Sequence, residues 1–403
     1  MTPAAPPVVD RLESLLHARA AAYGAFFPTH APRIAALCHR MAERFARGGR
    51  LIACGATPAD QSDVRHVAVE FVHPVIVGKR ALPALGVAPA DVALTVGPDD
   101  MVMVFGGGPE VAGAVQAARH AGALSVGFAP VAAEWSFAPG TDDPFVAQEL
   151  VETTYHVLWE LVHVFFEHRG LLEGRSGGSH HDSGASSFLY PFLAEAESDL
   201  AAVLEDVRAS VLAKADEVTD LRARTLRTDG DAIAAAARAL RAGLDAGGSV
   251  LALGNGGSAT DAMDLVADLR HPPVGPGPDA APLPRRRALD LTEDPAILTA
   301  IANDVGHEAV FVRQIIAYAR PPDTVVALST SGGSANVLAA LAEARRRRLA
   351  TIALVGYDGG RIAAERLADH VIVSRSEHIP RIQEAQATVL HALRVLLEED
   401  APA

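Results

Sequence analysis

Cysteine is nearly absent from this 403-residue chain, which has only Cys38 and Cys54. Two thiols supply neither a disulfide framework nor a zinc–thiolate set. An excess of positive charge is missing as well. Thirty-five Lys+Arg against 49 Asp+Glu leave a formal net charge of −14, which argues against a polyanion-binding surface and makes nucleic acid a poor partner. The basic runs Arg285–Arg287 and Arg345–Arg348 are local, and the second ends a helical pattern, where cations complement the helix dipole. No apolar run reaches the ~20 residues that span a bilayer. Residues 1–10 lack the basic stretch and apolar core of a signal peptide. A cytoplasmic protein with no membrane partner is therefore expected. Nucleotide motifs are missing too: no Gly-Lys-Ser/Thr closes a glycine loop and no Gly-x-Gly-x-x-Gly occurs, so no nucleotide cofactor is expected.

What is present begins with Gly254-Asn255-Gly256-Gly257-Ser258 and, about seventy residues on, Ser329-Thr330-Ser331-Gly332-Gly333-Ser334. Each follows a short apolar run and precedes a helical pattern. Glycine lets the backbone approach a ligand closely. Hydroxyls and the N–H groups of a helix start make a cradle for phosphate. Two such loops predict one phosphorylated small molecule held between them. Without a lysine, the cradle suits a sugar phosphate better than a nucleoside triphosphate.

The composition, 49% hydrophobic and 21% charged, is that of a globular chain long enough for two domains. Residues 173–188, rich in glycine and serine, read as a linker between a domain at 1–172 and another at 189–403. His180 and His181 fall in that linker. After helices within 192–246, strands are predicted at 249–253, 287–291, 324–329, 350–356 and 370–374. Helices are predicted at 257–269, 293–302, 306–319, 334–347 and 380–398. The first half repeats this grammar, with helices at 8–22, 30–47, 59–73, 109–121 and 144–168, and strands at 50–54, 75–77, 101–105 and 123–128. Such alternation predicts an α/β protein in which each half is a mostly parallel sheet flanked by helices, a three-layer α/β/α arrangement. Gly48-Gly49-Arg50-Leu51-Ile52-Ala53-Cys54-Gly55 parallels Gly247-Gly248-Ser249-Val250-Leu251-Ala252-Leu253-Gly254, and Glu70-Phe71-Val72-His73-Pro74 parallels Asp268-Leu269-Arg270-His271-Pro272. The chain reads as a tandem duplication whose trimmed first copy lacks the last strand of the second.

The second half, over roughly residues 195–398, resembles the SIS (sugar isomerase) domain family. The resemblance rests on the two loops above, on Ile301-Ala302-Asn303-Asp304, on Gly356-Tyr357-Asp358-Gly359-Gly360 and on Arg381-Ile382-Gln383-Glu384. Within that family it is similar to the phosphoheptose isomerase subfamily, and also to a non-catalytic relative that binds the bacterial replication initiator. The resemblance implies that Ser258, Ser329, Thr330, Ser331 and Ser334 bind phosphate beside Gly256 and Gly257, and that Asn255 and Asp304 face the sugar. It also implies a metal and catalytic set: a His-x-x-x-Glu pair after the glycine loop, and a Gln with a His eight residues later. Gln383 and His391 match the second pair. Asp264 and Asp268 stand where the His and Glu should be, a departure from the pattern. In the first copy the glycine loop is replaced by Gly55-Ala56-Thr57-Pro58-Ala59 and the serine cradle by Phe105-Gly106-Gly107-Gly108-Pro109-Glu110. That copy nevertheless keeps His66-x-x-x-Glu70, and Gln148 with His156.

Aldose–ketose isomerisation moves a proton between neighbouring carbons through an enediol. It needs a carboxylate base and a group to shuttle the hydroxyl proton. Zinc on nitrogen and oxygen ligands would polarise the carbonyl. One zinc per chain is expected on His66, Glu70, Gln148 and His156, or less well on Asp264, Asp268, Gln383 and His391. The catalytic candidates are Glu70, His156, Asp268 and His391, with Gln383 toward the substrate. Asp268 lies ten residues beyond Ser258, about 15 Å along one helix. A division of labour is therefore expected, with phosphate on the second copy and metal and base from the first. The alternative is a regulatory or assembly module that keeps the sugar-phosphate cradle without catalysis. Two chains would make a homodimer of four such domains.

Overall fold

The computed structural model describes residues 8–75, 79–168, 171–172, 199–274 and 283–399; the predicted linker at 173–188, with His180 and His181, lies outside them. Packing divides the chain into two compact units. A C-terminal unit holds Met1–Ala21, Asp142–Glu149 and Glu217–Ala403, and an N-terminal unit holds Ala22–Thr141 and Leu150–Asp216. These boundaries differ from the sequence halves, because residues 1–21 and 142–149 of the first half count with the second, and the second half counts with the first as far as Asp216.

In the C-terminal unit the parallel strands are β6 (Val250–Leu253), β7 (Ala288–Asp290), β8 (Thr324–Ser329), β9 (Ala350–Gly356) and β10 (His370–Ser374), in the order β7-β6-β8-β9-β10. Strands β6 and β8 are buried at every position, as strands covered on both faces must be. One face packs on Leu12, Leu15 and Leu16 from the start of the chain, with Ile233, Leu240, Leu265, Leu393 and Leu397. Phe311, Ile315, Val337 and Leu341 cover the other.

In the N-terminal unit the parallel strands are β1 (Leu51–Gly55), β2 (Ala84–Val87), β3 (Met101–Phe105), β4 (Leu124–Gly127) and β5 (Trp135–Ser136), in the order β2-β1-β3-β4-β5. The two sheets therefore share one strand order. Two expectations are corrected here. The first half does not lack a fifth strand: β5 pairs with β4 through Val126↔Trp135 and Gly127↔Ser136, and two residues are too short to leave a periodic signal. A strand lies at Ala84–Val87, where it pairs with Leu51–Cys54; of the strand expected at 75–77, residues 76 and 77 lie outside the described residues. The helices expected at 8–22 and 30–47 are one 39-residue helix, Val8–Ala46, that runs through Pro28 and Pro32. Proline removes a donor and disfavours a helix interior, but Phe27, Ala31 and Ile34 are fully buried on that helix, and such packing outweighs local preference.

Candidate active site

The two serine–glycine loops emerge from the C-terminal ends of β6 and β8, which pair in parallel. The connection from β6 runs to β7 on one side of the sheet, and β8 lies on the other. The loops thus flank the point where strand order reverses, the place at which open α/β sheets bind ligands. The first loop leads into the helix Gly257–Arg270 (α8) and the second into Ala335–Arg346 (α11). Neither helix start is capped by a side chain: Gly256 and Ser334 stand at the cap positions without such a bond. Ser258 and Ser329 are buried at the loop bases, and the Ser329 and Ser334 hydroxyls lie 3.3 Å apart. Asn255 exchanges two amide hydrogen bonds with Asn336, of 2.9 and 2.8 Å, which ties the two loops together. Asp304 ends the helix Pro295–Asp304 and is exposed, accepting from Asn303 at 2.7 Å.

The corresponding point in the N-terminal unit is already filled by a carboxylate. Thr57 accepts from the Asp60 backbone at 3.1 Å and its own N–H donates to Asp60 Oδ2 at 2.9 Å, a capping box. Across the gap, a Cβ on Gly106 would lie 2.4 and 2.5 Å from the Asp60 carboxylate oxygens. Asp60 therefore sits between the loops after β1 and β3, where a bound anion would have to sit, and like charge excludes one. Calorimetric titration of a sugar phosphate is expected to give one phosphate site per chain; two equivalent sites would contradict this account.

His66 and Glu70 lie one turn apart on the helix Pro58–Val72, on one face. His156 approaches from the helix Pro144–Glu167. All three are buried, at 1%, 2% and 0% exposure. His66 Nε2 is 3.2 Å from His156 Nε2 and 3.9 Å from Glu70 Oε1, so three ligand atoms converge within 4.8 Å. Tetrahedral zinc with nitrogens at ~2.0–2.1 Å sets them about 3.3 Å apart. Tyr155 Oη meets His66 Nδ1 at 3.0 Å, the outer contact that orients a ligating imidazole. Glu70 Oε2 is buried with no hydrogen-bond partner among the described residues. The donor set thus fits a divalent metal. Burial, reinforced by His156, holds His66 well below the usual imidazole range, and burial pushes Glu70 up to about 7.

The other predicted set is arranged differently. Asp264 accepts from Gln148 Nε2 at 2.8 Å. On the helix Ile379–Glu399 (α13), Gln383 and His391 are buried. His391 Nε2 lies 3.9 Å from Asp268 Oδ2, and Nδ1 lies 2.7 Å from Glu149 Oε1. Asp264, Asp268 and His391 do not bring three ligand atoms together among the described residues. Asp264 is engaged by Gln148, the amide expected among the zinc ligands of the first half, and His391 by Glu149. Burial pushes Asp268 up to about 6 against the opposing pull of His391 and Arg394. It is a stronger base than an exposed aspartate, and still largely ionised above neutral pH.

A SIS domain model matches residues 215–356. Phosphoheptose isomerase of Rhodospirillum rubrum is 44% identical over 168 residues, which cover 42% of this chain and 85% of that protein. The chain belongs to the SIS family, in its phosphoheptose isomerase subfamily. The Geotalea daltonii phosphoheptose isomerase is 46% identical over 169 residues, 41% of this chain and 83% of its own. Over 96% of this chain and 91% of its own, tagatose-6-phosphate ketose/aldose isomerase from Escherichia coli superposes with a TM-score of 0.54 at 14% identity, a likeness of fold alone. The SIS domain match and the two phosphoheptose isomerases support a sugar-phosphate isomerase. Sequence reading passed over Asp60, Tyr155, Asn336 and Glu149. The Thr57-x-x-Asp60 spacing and the Gln148-Glu149 neighbourhood were the available signals.

Proposed function

We propose that the protein is an aldose–ketose isomerase of a phosphorylated sugar, with sedoheptulose 7-phosphate converted to glycero-manno-heptose 7-phosphate through an enediol. The observation that carries the proposal is the pair of lysine-free serine loops at the switch point of the C-terminal sheet. Ser258, Ser329, Thr330, Ser331 and Ser334 hold the phosphate in this reading. The names of the Rhodospirillum rubrum and Geotalea daltonii relatives support the seven-carbon substrate. The shared strand order of the two sheets supports reading them as copies. Self-association to a homodimer belongs to the same proposal.

Two buried centres have the groups for proton transfer: Glu70 with His156, and Asp268 with His391. In each, a carboxylate made more basic by burial takes the carbon-bound proton and an imidazole moves the hydroxyl proton. His66, Glu70 and His156 are the residues that would hold zinc; when bound, it polarises a carbonyl and stabilises enediolate charge.

Purified protein is expected to turn over sedoheptulose 7-phosphate with zinc and to lose that activity on chelation. Turnover unaffected by chelation would remove the metal from the reading. Sugar-phosphate binding without turnover would favour a regulatory module, a reading to which the Gln148–Asp264 contact and the lack of a metal group at Asp268 give some support.

A further inference from the structure

We infer that Glu149 is the positioning residue of His391, fixing its tautomer so that Nε2 is presented toward Asp268. Glu149 is fully buried, in the short segment Asp142–Glu149 that counts with the C-terminal unit. Arg19 donates to it from Nη2 at 2.6 Å and from Nε at 2.9 Å to both oxygens. The Thr388 hydroxyl donates at 2.7 Å, and Arg222 Nη2 lies at 3.5 Å. So many donors and two guanidinium charges keep Glu149 ionised. An ionised carboxylate accepts and cannot donate.

The contact of 2.7 Å with His391 Nδ1 therefore requires the proton on Nδ1. Nε2 is left with its lone pair, or with the proton it takes up during reaction. Phe145 stacks on the imidazole with centroids 4.6 Å apart and planes at 27°, which resists rotation of the ring. The 3.9 Å from Nε2 to Asp268 Oδ2 is too long for a direct hydrogen bond, yet one oxygen can stand about 2.8 Å from both. A sugar hydroxyl fits that place. Its proton passes to Nε2, and Asp268 takes the proton from the adjacent carbon.

This inference rests on the isomerase reading, and the test keeps the two apart. Glu149→Gln lets an amide N–H face Nδ1 and so favours the opposite tautomer. Glu149→Asp keeps the charge for Arg19 and Arg222 but draws the carboxylate away from the ring. In the full-length protein carrying Glu70→Gln, whose remaining turnover of sedoheptulose 7-phosphate belongs to the Asp268–His391 centre, kcat is expected to fall about 100-fold further for the glutamine variant and about 10-fold further for the aspartate variant. KM should stay within about twofold for both. In ¹⁵N-histidine spectra, the His391 resonance, assigned by its loss in His391→Asn, should move from the Nδ1–H to the Nε2–H pattern in Glu149→Gln. A purely structural role would not move the tautomer. Folded variants with kcat within about threefold of Glu70→Gln alone, or a parent His391 with no proton on Nδ1, would overturn the inference. A parent protein without turnover would overturn the isomerase reading, while the tautomer still decides the role of Glu149.

Discussion

Glu70→Gln is expected to lower zinc-dependent turnover about 10³-fold while sugar-phosphate binding is retained. Glutamine keeps the shape of the side chain but loses the charge that would draw a metal and the basicity that would take a proton. The serine–glycine loops proposed to hold the phosphate belong to the C-terminal unit, and Glu70 to the N-terminal one, so binding should not follow activity down. Misfolding is an unsuitable explanation for such a loss, because the sign of the electrostatic change runs the other way. Burial raises Glu70 to about 7, so folding takes up a proton between the usual carboxylate range and that value. The stability linked to that proton is present at low pH and is lost as pH rises through about 7. The neutral amide avoids this loss. Metal-free Glu70→Gln should therefore be at least as stable as the parent at pH 8, with a gain of order 1–3 kcal/mol readable by denaturant melts. Undiminished turnover would move the chemistry to Asp268 and His391. Loss of bound zinc alone, read by elemental analysis, would confirm the ligand role without the basic one.

Much of the fold was legible because buried parallel strands write themselves as unbroken apolar runs. Thr324–Ser329 and Ala350–Gly356 are strands of the residues expected. Strand Ala84–Val87 was not legible, since its four residues include Gly86 and none is buried. The two serine–glycine loops could be picked out from glycine and serine alone, as their residues are neighbours in sequence. The support for His391 could not. Glu149 meets Arg19 and His391 across 130 and 242 positions of sequence, a separation at which no local spacing carries a signal. The same holds for Asp60, whose capping role is local but whose closeness to Gly106 depends on two strands being neighbours. Gly356-Tyr357-Asp358-Gly359-Gly360 was recognisable as a motif, and its reason is structural: this turn braces the second serine–glycine loop from behind.

That bracing makes two adjacent glycines respond very differently to the same change. Gly332 has φ of 59°, in the left-handed region that side chains resist. A Cβ there would lie 2.2 Å from the Gly359 carbonyl oxygen and 2.8 Å from its carbon. Those are backbone atoms, fixed in turn because Ile362 N donates to Gly332 O at 3.1 Å and Gly356 N to Thr330 O at 2.9 Å. Neither side of the contact can yield without moving Ser331 or the turn behind it. Gly332→Ala is therefore expected to lose about 3 kcal/mol of stability from strain and overlap together. It should also weaken sugar-phosphate binding at least tenfold, the loop being displaced from its helix start. Gly333, the next residue, lacks the left-handed conformation, and its Cβ would find nothing nearer than Ser331 Oγ at 3.8 Å. Gly333→Ala should melt within about 0.5 kcal/mol of the parent. Equal melting of the two variants would show that the loop is not held by its neighbour turn, and that its shape comes from the serine hydroxyls alone.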